Sequence, residues 1–294
     1  MACSRRGFAF RDAWCSLRAL SWSVKIGLWR RGTVVGSVLV TGGTGTLGRA
    51  VVAELRTREQ AVRVLSRRPP GSAPAGLEDV DWVTGDLRSG AGLDRAVSDA
   101  GVVVHCATDV RRPRRDVEGT RNLLSAARAA GAWHLVYISI VGVDRVPLPY
   151  YGIKLEVEQL IEASNLPWTV LRATQFHDLV ASALRVLTRP PAVLLPAGTS
   201  FQPVDVRDVA ARLVELALSP ATGRAADLGG PQVWPVTDLA RAYLHTVRRR
   251  RPVWPVPLPG AIARGYRQGG HLAPESAVVG RPFEDYLAER AFKT

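Results

Sequence analysis

Short apolar runs alternate along this chain of 294 residues with longer segments in which apolar residues recur at helical spacing. Apolar runs of about four to eight residues are typical of buried strands, and a period of about 3.6 residues is typical of amphipathic helices. We predict six strands, the first ending at residue 40 and the others at 61–65, 80–84, 102–106, 134–138 and 168–171. The clearest helices between them are 119–130 and 151–163. This alternation predicts an α/β fold with a doubly wound parallel sheet.

The first strand runs directly into the sequence TGGTGTLGR at 41–49, after which apolar residues recur at helical spacing. A strand, a glycine turn and a helix in this order are typical of a dinucleotide-binding loop. In such a loop Gly42 permits a tight turn, Gly45 lets the backbone approach a pyrophosphate, and Gly48 lets the helix pack closely on the strand. The helix N-terminus then presents free N–H groups and the positive end of its dipole to the phosphates.

The residues that follow the next strands indicate which dinucleotide is bound, because ligands of a parallel sheet lie at the carboxyl ends of its strands. An NAD-specific site has a carboxylate after the second strand, whereas this chain has Ser66, Arg67 and Arg68. Arg67 can pair bidentately with a 2′-phosphate, so the sequence favours NADP, with NAD as the alternative cofactor. The other interpretation of Arg67 is a solvated loop residue. After the third strand, Asp86 is placed to accept a hydrogen bond from the adenine amino group.

Three polar residues near the fifth strand form a candidate catalytic group. Ser139 ends that strand, and the next helix begins near Pro149 and carries Tyr150 and Lys154 one turn apart on one face. In this arrangement the lysine lowers the pKa of the phenol and holds the nicotinamide ribose. The tyrosine donates a proton to a carbonyl oxygen as hydride arrives at the carbon, and Ser139 holds that oxygen. Two alternatives stay open: Tyr150 only packs against the helix, or Tyr151 takes its role.

These motifs resemble the short-chain dehydrogenase/reductase superfamily, and more closely its atypical NmrA-like NAD(P)-binding branch, over roughly residues 37–290. The similar segments are TGGTGTLGR (41–49), GDL (85–87), DVEGTRNLLSAARAAG (116–131), YIS (137–139) and YYGIK (150–154). The resemblance implies a Rossmann-type fold, with Ala107 and Thr108 beside the cofactor ribose. The full set of cofactor-binding residues that it implies is Gly42, Gly45, Thr46, Leu47, Gly48, Arg67, Asp86, Ala107, Thr108 and Lys154. Asp116 stands where extended members often carry asparagine.

The carboxyl-terminal part of the chain is expected to be a small substrate-binding elaboration of one domain that spans 37–294, built mainly from 174–290. Phe176 and His177 follow the sixth strand at the ligand-binding edge, so we expect them to line a substrate pocket. The proline-rich apolar segment 187–203 is a candidate lid over this pocket.

Two segments carry no strong periodic pattern. Residues 252–280 are irregular, and only a short helix at 283–292 follows them. Residues 1–36 hold seven arginines and lysines but one acidic residue, and Met1 is the only methionine of the chain. We interpret this segment as a disordered or non-native extension, with translation starting from a non-ATG codon near Val34, Val35 or Val38. N-terminal sequencing of protein made from the natural gene tests this hypothesis.

Composition excludes several function classes. The formal net charge is +13, but residues 1–36 contribute seven positive charges minus one negative, so the remainder is mildly basic and we expect no nucleic-acid partner. The three cysteines form no CxxC pair and the five histidines are scattered, which predicts no metal site, no disulfide framework and a cytoplasmic location. No apolar run approaches the length of a membrane span, so we expect no membrane partner.

Three functions fit these observations. The first is an NAD(P)H-dependent oxidoreductase, with NADP favoured, that reduces a small carbonyl, quinone or enone. The second is a non-catalytic regulator that binds NAD(P)(H), changes shape with its redox state and controls a partner protein. The third is a nucleotide-sugar epimerase or dehydratase, which the short carboxyl-terminal region disfavours. We expect a monomer or a homodimer that acts on a small-molecule substrate.

Overall fold

The computed structural model describes residues 36–69, 71, 74–77 and 80–291. The predicted N-terminal extension therefore lies outside the described residues except for Gly36. The strands are β1 (Ser37–Thr41), β2 (Val62–Ser66), β3 (Asp81–Thr84), β4 (Ala100–His105), β5 (His134–Ile140), β6 (Trp168–Ala173), β7 (Val193–Pro196), β8 (Ser200–Phe201), β9 (Gly223–Arg224), β10 (Trp234–Pro235) and β11 (Val253–Val256). The helices are α1 (Thr46–Thr57), α2 (Leu93–Val97), α3 (Arg114–Ala129), α4 (Pro149–Glu162), α5 (His177–Leu187), α6 (Val206–Ala217), α7 (Val236–Thr246), α8 (Ala261–Arg267) and α9 (Phe283–Ala291).

Seven strands form one parallel sheet in the order β3-β2-β1-β4-β5-β6-β9. In its centre Val40 of β1 lies between Val64 of β2 and Val104 of β4. The chain winds outward from β1 in one direction and, after β3, returns to continue outward from β4. A crevice therefore opens at the carboxyl ends of β1 and β4, which is where ligands bind in such sheets. The predicted doubly wound α/β fold is confirmed.

The core consists of one apolar layer on each face of this sheet. On one face Val40 and Leu171 pack with residues of α1 and α6, and on the other face Leu39 and Val170 pack with residues of α2, α3 and α4. Alternate residues of each strand thus bury their side chains on opposite faces, which explains why the central strands are continuous apolar runs. Each fully buried large apolar side chain contributes about 1.5–3 kcal/mol.

The predicted boundaries differ from the observed ones where the pattern of apolar residues is weak. Helix α3 begins at Arg114 rather than at 119, because its first turn is rich in polar residues and shows no apolar period. The candidate lid 187–203 instead supplies β7 and β8, which pair with β11 and β10. The irregular segment 252–280 contains β11 and α8. Strand β9 was not predicted from the sequence, because it is only two residues long.

Candidate functional site

Strand β1 ends in a glycine turn that touches the end of β4. Gly42 has a φ of +70°, and a Cβ atom on it would lie 2.7 Å from the Cα atom of Ala107. A Cβ atom on Gly48 would overlap the carbonyl oxygen of Gly42, so α1 lies directly against the turn. Gly45 is exposed, and a Cβ atom on it would meet only that same carbonyl within 4 Å. The turn is therefore closed on its protein side and open above Gly45.

The N-terminus of α1 faces this open side. No side chain caps the helix at Gly45, and its first turn contains no acidic residue. Thr46 is exposed, whereas Leu47 is buried in the core and anchors the helix. Uncapped N–H groups at a helix N-terminus, together with the positive end of the helix dipole, are a binding site for an anion. The arrangement fits a pyrophosphate group.

A buried chain of polar side chains ties the glycine turn to β4 and α3. The Thr120 hydroxyl donates to the Asp116 carbonyl oxygen at 2.6 Å, so it can only accept from His105 Nε2, which lies 3.1 Å away. His105 Nδ1 then accepts from the Thr41 hydroxyl at 2.7 Å. Burial lowers the pKa of His105 to about 3, which agrees with this neutral tautomer. This series of hydrogen bonds was not predicted from the sequence, because His105 stands within the otherwise apolar run of β4.

A second polar chain connects Tyr150 to Asp116. The Thr108 hydroxyl donates to Asp116 Oδ2 at 2.6 Å, so the Tyr150 hydroxyl, 3.0 Å away, donates to Thr108. Asp116 Oδ1 accepts from the backbone N–H of Asp109 at 2.8 Å. Both carboxylate oxygens of Asp116 therefore hold the loop after β4 against the start of α3, and Thr108 links this loop to Tyr150 on α4.

Lys154 and Ser139 lie below the polar chain that connects Tyr150 to Asp116, on the face of β5 that α4 covers. Lys154 Nζ donates to the Ile138 carbonyl oxygen at 3.0 Å and lies 4.4 Å from the centre of the Tyr137 ring. Burial lowers the pKa of Lys154 to about 8. The Ser139 Oγ atom is buried and has no hydrogen-bond partner among the described residues. An unpaired buried hydroxyl costs about 1–3 kcal/mol, which is typical of a position that a ligand satisfies.

Helix α4 is held in place by a buried ion pair. Arg172 on β6 donates to Glu158 on α4 through Nε at 2.8 Å and through Nη2 at 2.6 Å. Its Nη1 atom donates to Asp144 Oδ2 at 2.7 Å, in the loop between β5 and α4. Arg172 and Glu158 are both buried. This pair fixes α4, with Tyr150 and Lys154, against the sheet, and it was not predicted from the sequence.

The two residues expected at the adenosine end follow β2 and β3. Arg67 is exposed, and its side chain forms no hydrogen bond or ion pair with the described residues. Asp86 Oδ1 accepts from the backbone N–H of Arg88 at 3.0 Å, which closes a turn after β3. Gly85 N–H donates to the Ser66 carbonyl oxygen at 2.8 Å, so the two loops are joined beside each other. The positions of Arg67 and Asp86 at this sheet edge are compatible with the predicted contacts.

Comparison with known proteins identifies the family. A sequence profile described as NAD(P)H-binding matches residues 42–220, more than half of the chain. The chain belongs to this NAD(P)H-binding family. The photosystem II assembly factor Ycf39 of Trieres chinensis is 28% identical over 233 residues, which are 76% of this chain and 72% of that protein. A (4-alkanoyl-5-oxo-2,5-dihydrofuran-3-yl)methyl phosphate reductase of Streptomyces griseus subsp. griseus is 32% identical over 199 residues, 66% of this chain and 68% of that protein.

A solved structure of an NADPH-dependent quinone oxidoreductase from Escherichia coli, in complex with NADPH, shares the fold of this NAD(P)H-binding protein. Its TM-score is 0.71 at 19% identity, over 87% of this chain and 99% of the other. The identification from the sequence of an NAD(P)-binding protein with a Rossmann-type fold is confirmed. The preference for NADP over NAD stays a prediction.

Two expectations for this NAD(P)H-binding protein need correction. Burial raises the pKa of Tyr150 and the charge of Asp116 raises it further, whereas the hydrogen bond with Thr108 lowers it. The pKa of Tyr150 is therefore raised, and the lowering that was expected from Lys154 does not occur. Lys154 Nζ lies over the ring of Tyr137. Tyr151 is buried, so Tyr150 rather than Tyr151 reaches the loop after β4.

His177 does not line a pocket in the structure. Its side chain is 0% exposed and packs against the rings of Phe283 and Tyr286 on α9. The prediction of a substrate contact for His177 is therefore wrong for this conformation, because a helix more than 100 residues later in the chain covers it. Phe176 is half-buried and packs against the core layer that contains Val204.

The other reactive groups in the described part of the chain are a cysteine thiol and scattered side chains of metal-ligating type. Burial raises the pKa of the Cys106 thiol to about 12, so a reactive thiolate is disfavoured at neutral pH. The described His, Cys, Asp and Glu side chains form no group of three or more that is placed to share a metal ion. Each described helix is too short or too polar to traverse a lipid bilayer.

We predict that Glu158→Gln destabilises the protein by up to about 3–5 kcal/mol, because it removes the buried counter-ion of Arg172 and leaves the guanidinium paired with the exposed carboxylate of Asp144 alone among the described residues. Urea unfolding followed by circular dichroism measures this change. The matched control is Glu156→Gln on the same helix, whose carboxylate lies 3.6 Å from Arg121 in an exposed pair and should change stability by less than about 0.5 kcal/mol. Equal effects of the two substitutions would contradict the assigned role of the buried pair.

A second prediction concerns the pH dependence of stability. The pKa of Lys154 falls from 10.5 to about 8 on folding. Below about pH 8 Lys154 is therefore protonated in both the folded and the unfolded protein, and the full cost of burying its charge lowers the stability of the folded protein. Between these two values the unfolded chain binds a proton that the folded chain has released, so stability increases with pH. Lys154→Met removes this cost. Without cofactor, the Lys154→Met variant should have a larger free energy of unfolding than the parent protein at pH 7, and the difference between the two free energies should be smaller at pH 10.

Urea unfolding of both proteins at several pH values checks this prediction. A stability difference that does not vary between pH 7 and pH 10 would show that Lys154 keeps its ordinary pKa in the folded protein.

Proposed function

We propose that this protein is an NAD(P)H-dependent reductase that prefers NADPH and reduces a small carbonyl, quinone or enone. The observation that carries the proposal is the grouping of the Tyr150 phenol, Lys154 and the Ser139 hydroxyl, which is buried without a hydrogen-bond partner among the described residues, at the carboxyl edge of the sheet next to the open glycine turn. We further propose that it acts in the cytoplasm as a monomer or homodimer.

The residues at this edge fit a dinucleotide. The open backbone above Gly45 and the uncapped N-terminus of α1 fit the pyrophosphate. The exposed guanidinium of Arg67 fits a 2′-phosphate, because it has no competing carboxylate among the described residues. Further along the crevice, the residues that would contact adenine and the two riboses are Asp86, Ala107, Thr108 and Lys154. When bound, the nicotinamide supplies the hydride.

The side chains of the protein would supply the proton. A raised pKa keeps Tyr150 protonated at neutral pH, as is required of a general acid. Its hydroxyl would turn from Thr108 to the substrate oxygen and donate to it, while the Ser139 hydroxyl donates a second hydrogen bond to the same oxygen. The Thr108 hydroxyl can then donate to the phenolate that remains, since it lies 3.0 Å from it. Lys154 would orient the ribose from below.

The relatives support a reductase. One is named as a reductase of a dihydrofuranone methyl phosphate, and a structural neighbour is named as an NADPH-dependent quinone oxidoreductase. The alternative function, a regulator that binds NAD(P)(H) without turnover, is favoured by the similarity to a photosystem II assembly factor. The two functions differ in whether they need the phenol of Tyr150.

For the cofactor, we predict that Arg67→Ala increases the Kd for NADPH by about 10- to 100-fold, because a charged hydrogen bond to phosphate is lost. Affinity for NADH should stay the same, since NADH has no 2′-phosphate. Isothermal titration calorimetry of both proteins with both cofactors tests this. Comparable weakening for NADH would indicate damage to the fold, and an unchanged NADPH affinity would remove Arg67 from the site.

For catalysis, we predict that Tyr150→Phe lowers kcat about 100-fold or more while NADPH still binds, because the general acid is lost. NADPH oxidation in the presence of a panel of quinones and enones measures turnover. Tyr151→Phe is the matched control and should keep kcat, since that ring is buried beside Val143 and Val146. Full activity in Tyr150→Phe would exclude the proposed acid. The absence of turnover in the parent protein, with NADPH binding intact, would favour the regulator.

A further inference from the structure

One surface of the carboxyl-terminal region carries an unusual charge. Residues 37–294 contain 32 basic and 25 acidic residues, a formal net charge of +7. The stretch 239–274 alone contains seven arginines and neither aspartate nor glutamate, so it also carries +7. The rest of this domain is therefore electrically balanced, and its positive charge is concentrated in one segment.

Most of these arginines have no counter-ion among the described residues. Arg241, on α7, pairs with Asp238 at 2.6 Å. In contrast, the four consecutive residues Arg248–Arg251 are exposed and form no ion pair within the described structure, and the same holds for Arg264 on α8. The dipole of α7 stabilises cations next to the C-terminal end of this helix, so it accounts for Arg248 but not for the three arginines that follow. Four uncompensated positive charges repel one another unless an anionic partner neutralises them.

Large apolar side chains protrude next to these arginines. Strands β7 and β11 pair in parallel with Leu194 opposite Trp254, and these side chains are 58% and 56% exposed. Leu258 and Ile262, which follow on the way into α8, are 44% and 40% exposed. We refer to these four residues together with Arg248–Arg251 as the β11–α8 surface. Proline at every second position from 255 to 259 stiffens this surface, so its apolar side chains are presented without a large loss of entropy.

We propose that the β11–α8 surface docks on the face of an anionic lipid bilayer. Exposed tryptophan and aliphatic residues insert into the interfacial region of a bilayer, and adjacent arginines are attracted to anionic headgroups. A nucleic acid would also attract the arginines, but it would leave Leu194, Leu258 and Ile262 in water. The proposal replaces our expectation of a protein without a membrane partner. It does not depend on the proposed reductase activity.

The docking surface is connected to the candidate site. Tyr266 on α8 packs in one apolar cluster with Tyr151, which follows Tyr150 in the chain. Gly265 of the same helix lies against Val146, where a Cβ atom would be 3.4 Å from the Val146 Cα atom. A bilayer at the β11–α8 surface would therefore be adjacent to the helix that carries Tyr150. This arrangement suits an amphiphilic substrate that reaches the site from the lipid.

Flotation of the full-length protein with vesicles tests the proposal. We expect binding to phosphatidylcholine vesicles that contain about 30% phosphatidylglycerol, and little binding to phosphatidylcholine alone. The double variant Arg249→Gln/Arg250→Gln should bind about 30-fold more weakly, because each arginine near an anionic surface contributes about fivefold. Trp254→Ala should also weaken binding to the anionic vesicles, and added salt should weaken binding of the parent protein.

The matched control is Arg95→Gln/Arg121→Gln, which removes two exposed arginines from α2 and α3 and should bind like the parent. All variants keep residues 1–35, so any contribution of that basic segment is the same in each. Equal losses in the two double variants would overturn the proposal, because binding would then depend on overall charge. Binding to single-stranded RNA but not to anionic vesicles would overturn it as well. Thermal unfolding of each variant confirms that a loss of binding is not a loss of fold.

Discussion

The backbone contact between the turn after β1 and the end of β4 is the constraint on which the site depends. Because Gly42 has no Cβ atom, its main chain lies directly against Ala107, and the two central strands end at the same level. The polar chain from Thr41 through His105 to Thr120 then extends this contact into α3. The same helix carries Asp116, so the position of the loop after β4 follows from the position of the glycine turn.

The second half of the site depends on the placement of α4. The buried pair of Arg172 and Glu158 contributes little net stability compared with an apolar pair of the same size, because both charges lose their hydration. Its effect is on position, since a bidentate guanidinium accepts one orientation of the carboxylate. Lys154 has no such partner, and Ser139 has none at all within the described chain. Lys154 and Ser139, which would meet a ligand, thus form no ion pair and no hydrogen bond to another side chain within the described chain, whereas the residues that orient α4 are fully paired.

The sequence allowed the fold and the glycine turn to be predicted because both depend on local signals. An apolar run, a glycine spacing and a helical period are visible within about 15 residues. The polar chains were not predicted because their members come from different elements: His105 bonds to Thr41, 64 residues away, and burial of the pair is visible only in the fold. His177 was misassigned for the same reason, since α9, which covers it, comes from the end of the chain.

The carboxyl-terminal region shows why a regular pattern is not required for a regular structure. Proline interrupts any helical or alternating period between 252 and 259, yet β11 forms there because β7, about 60 residues earlier, offers a strand to pair with. This pairing also fixes the outward direction of Trp254 and Leu194, which no sequence pattern could assign to the solvent side. The segment then continues through α8 to Tyr266 and the cluster around Tyr151. The stretch from β11 to α8 therefore contributes most of the basic apolar surface and also packs against the start of α4, so an event at that surface is coupled by direct packing to the helix that carries Tyr150.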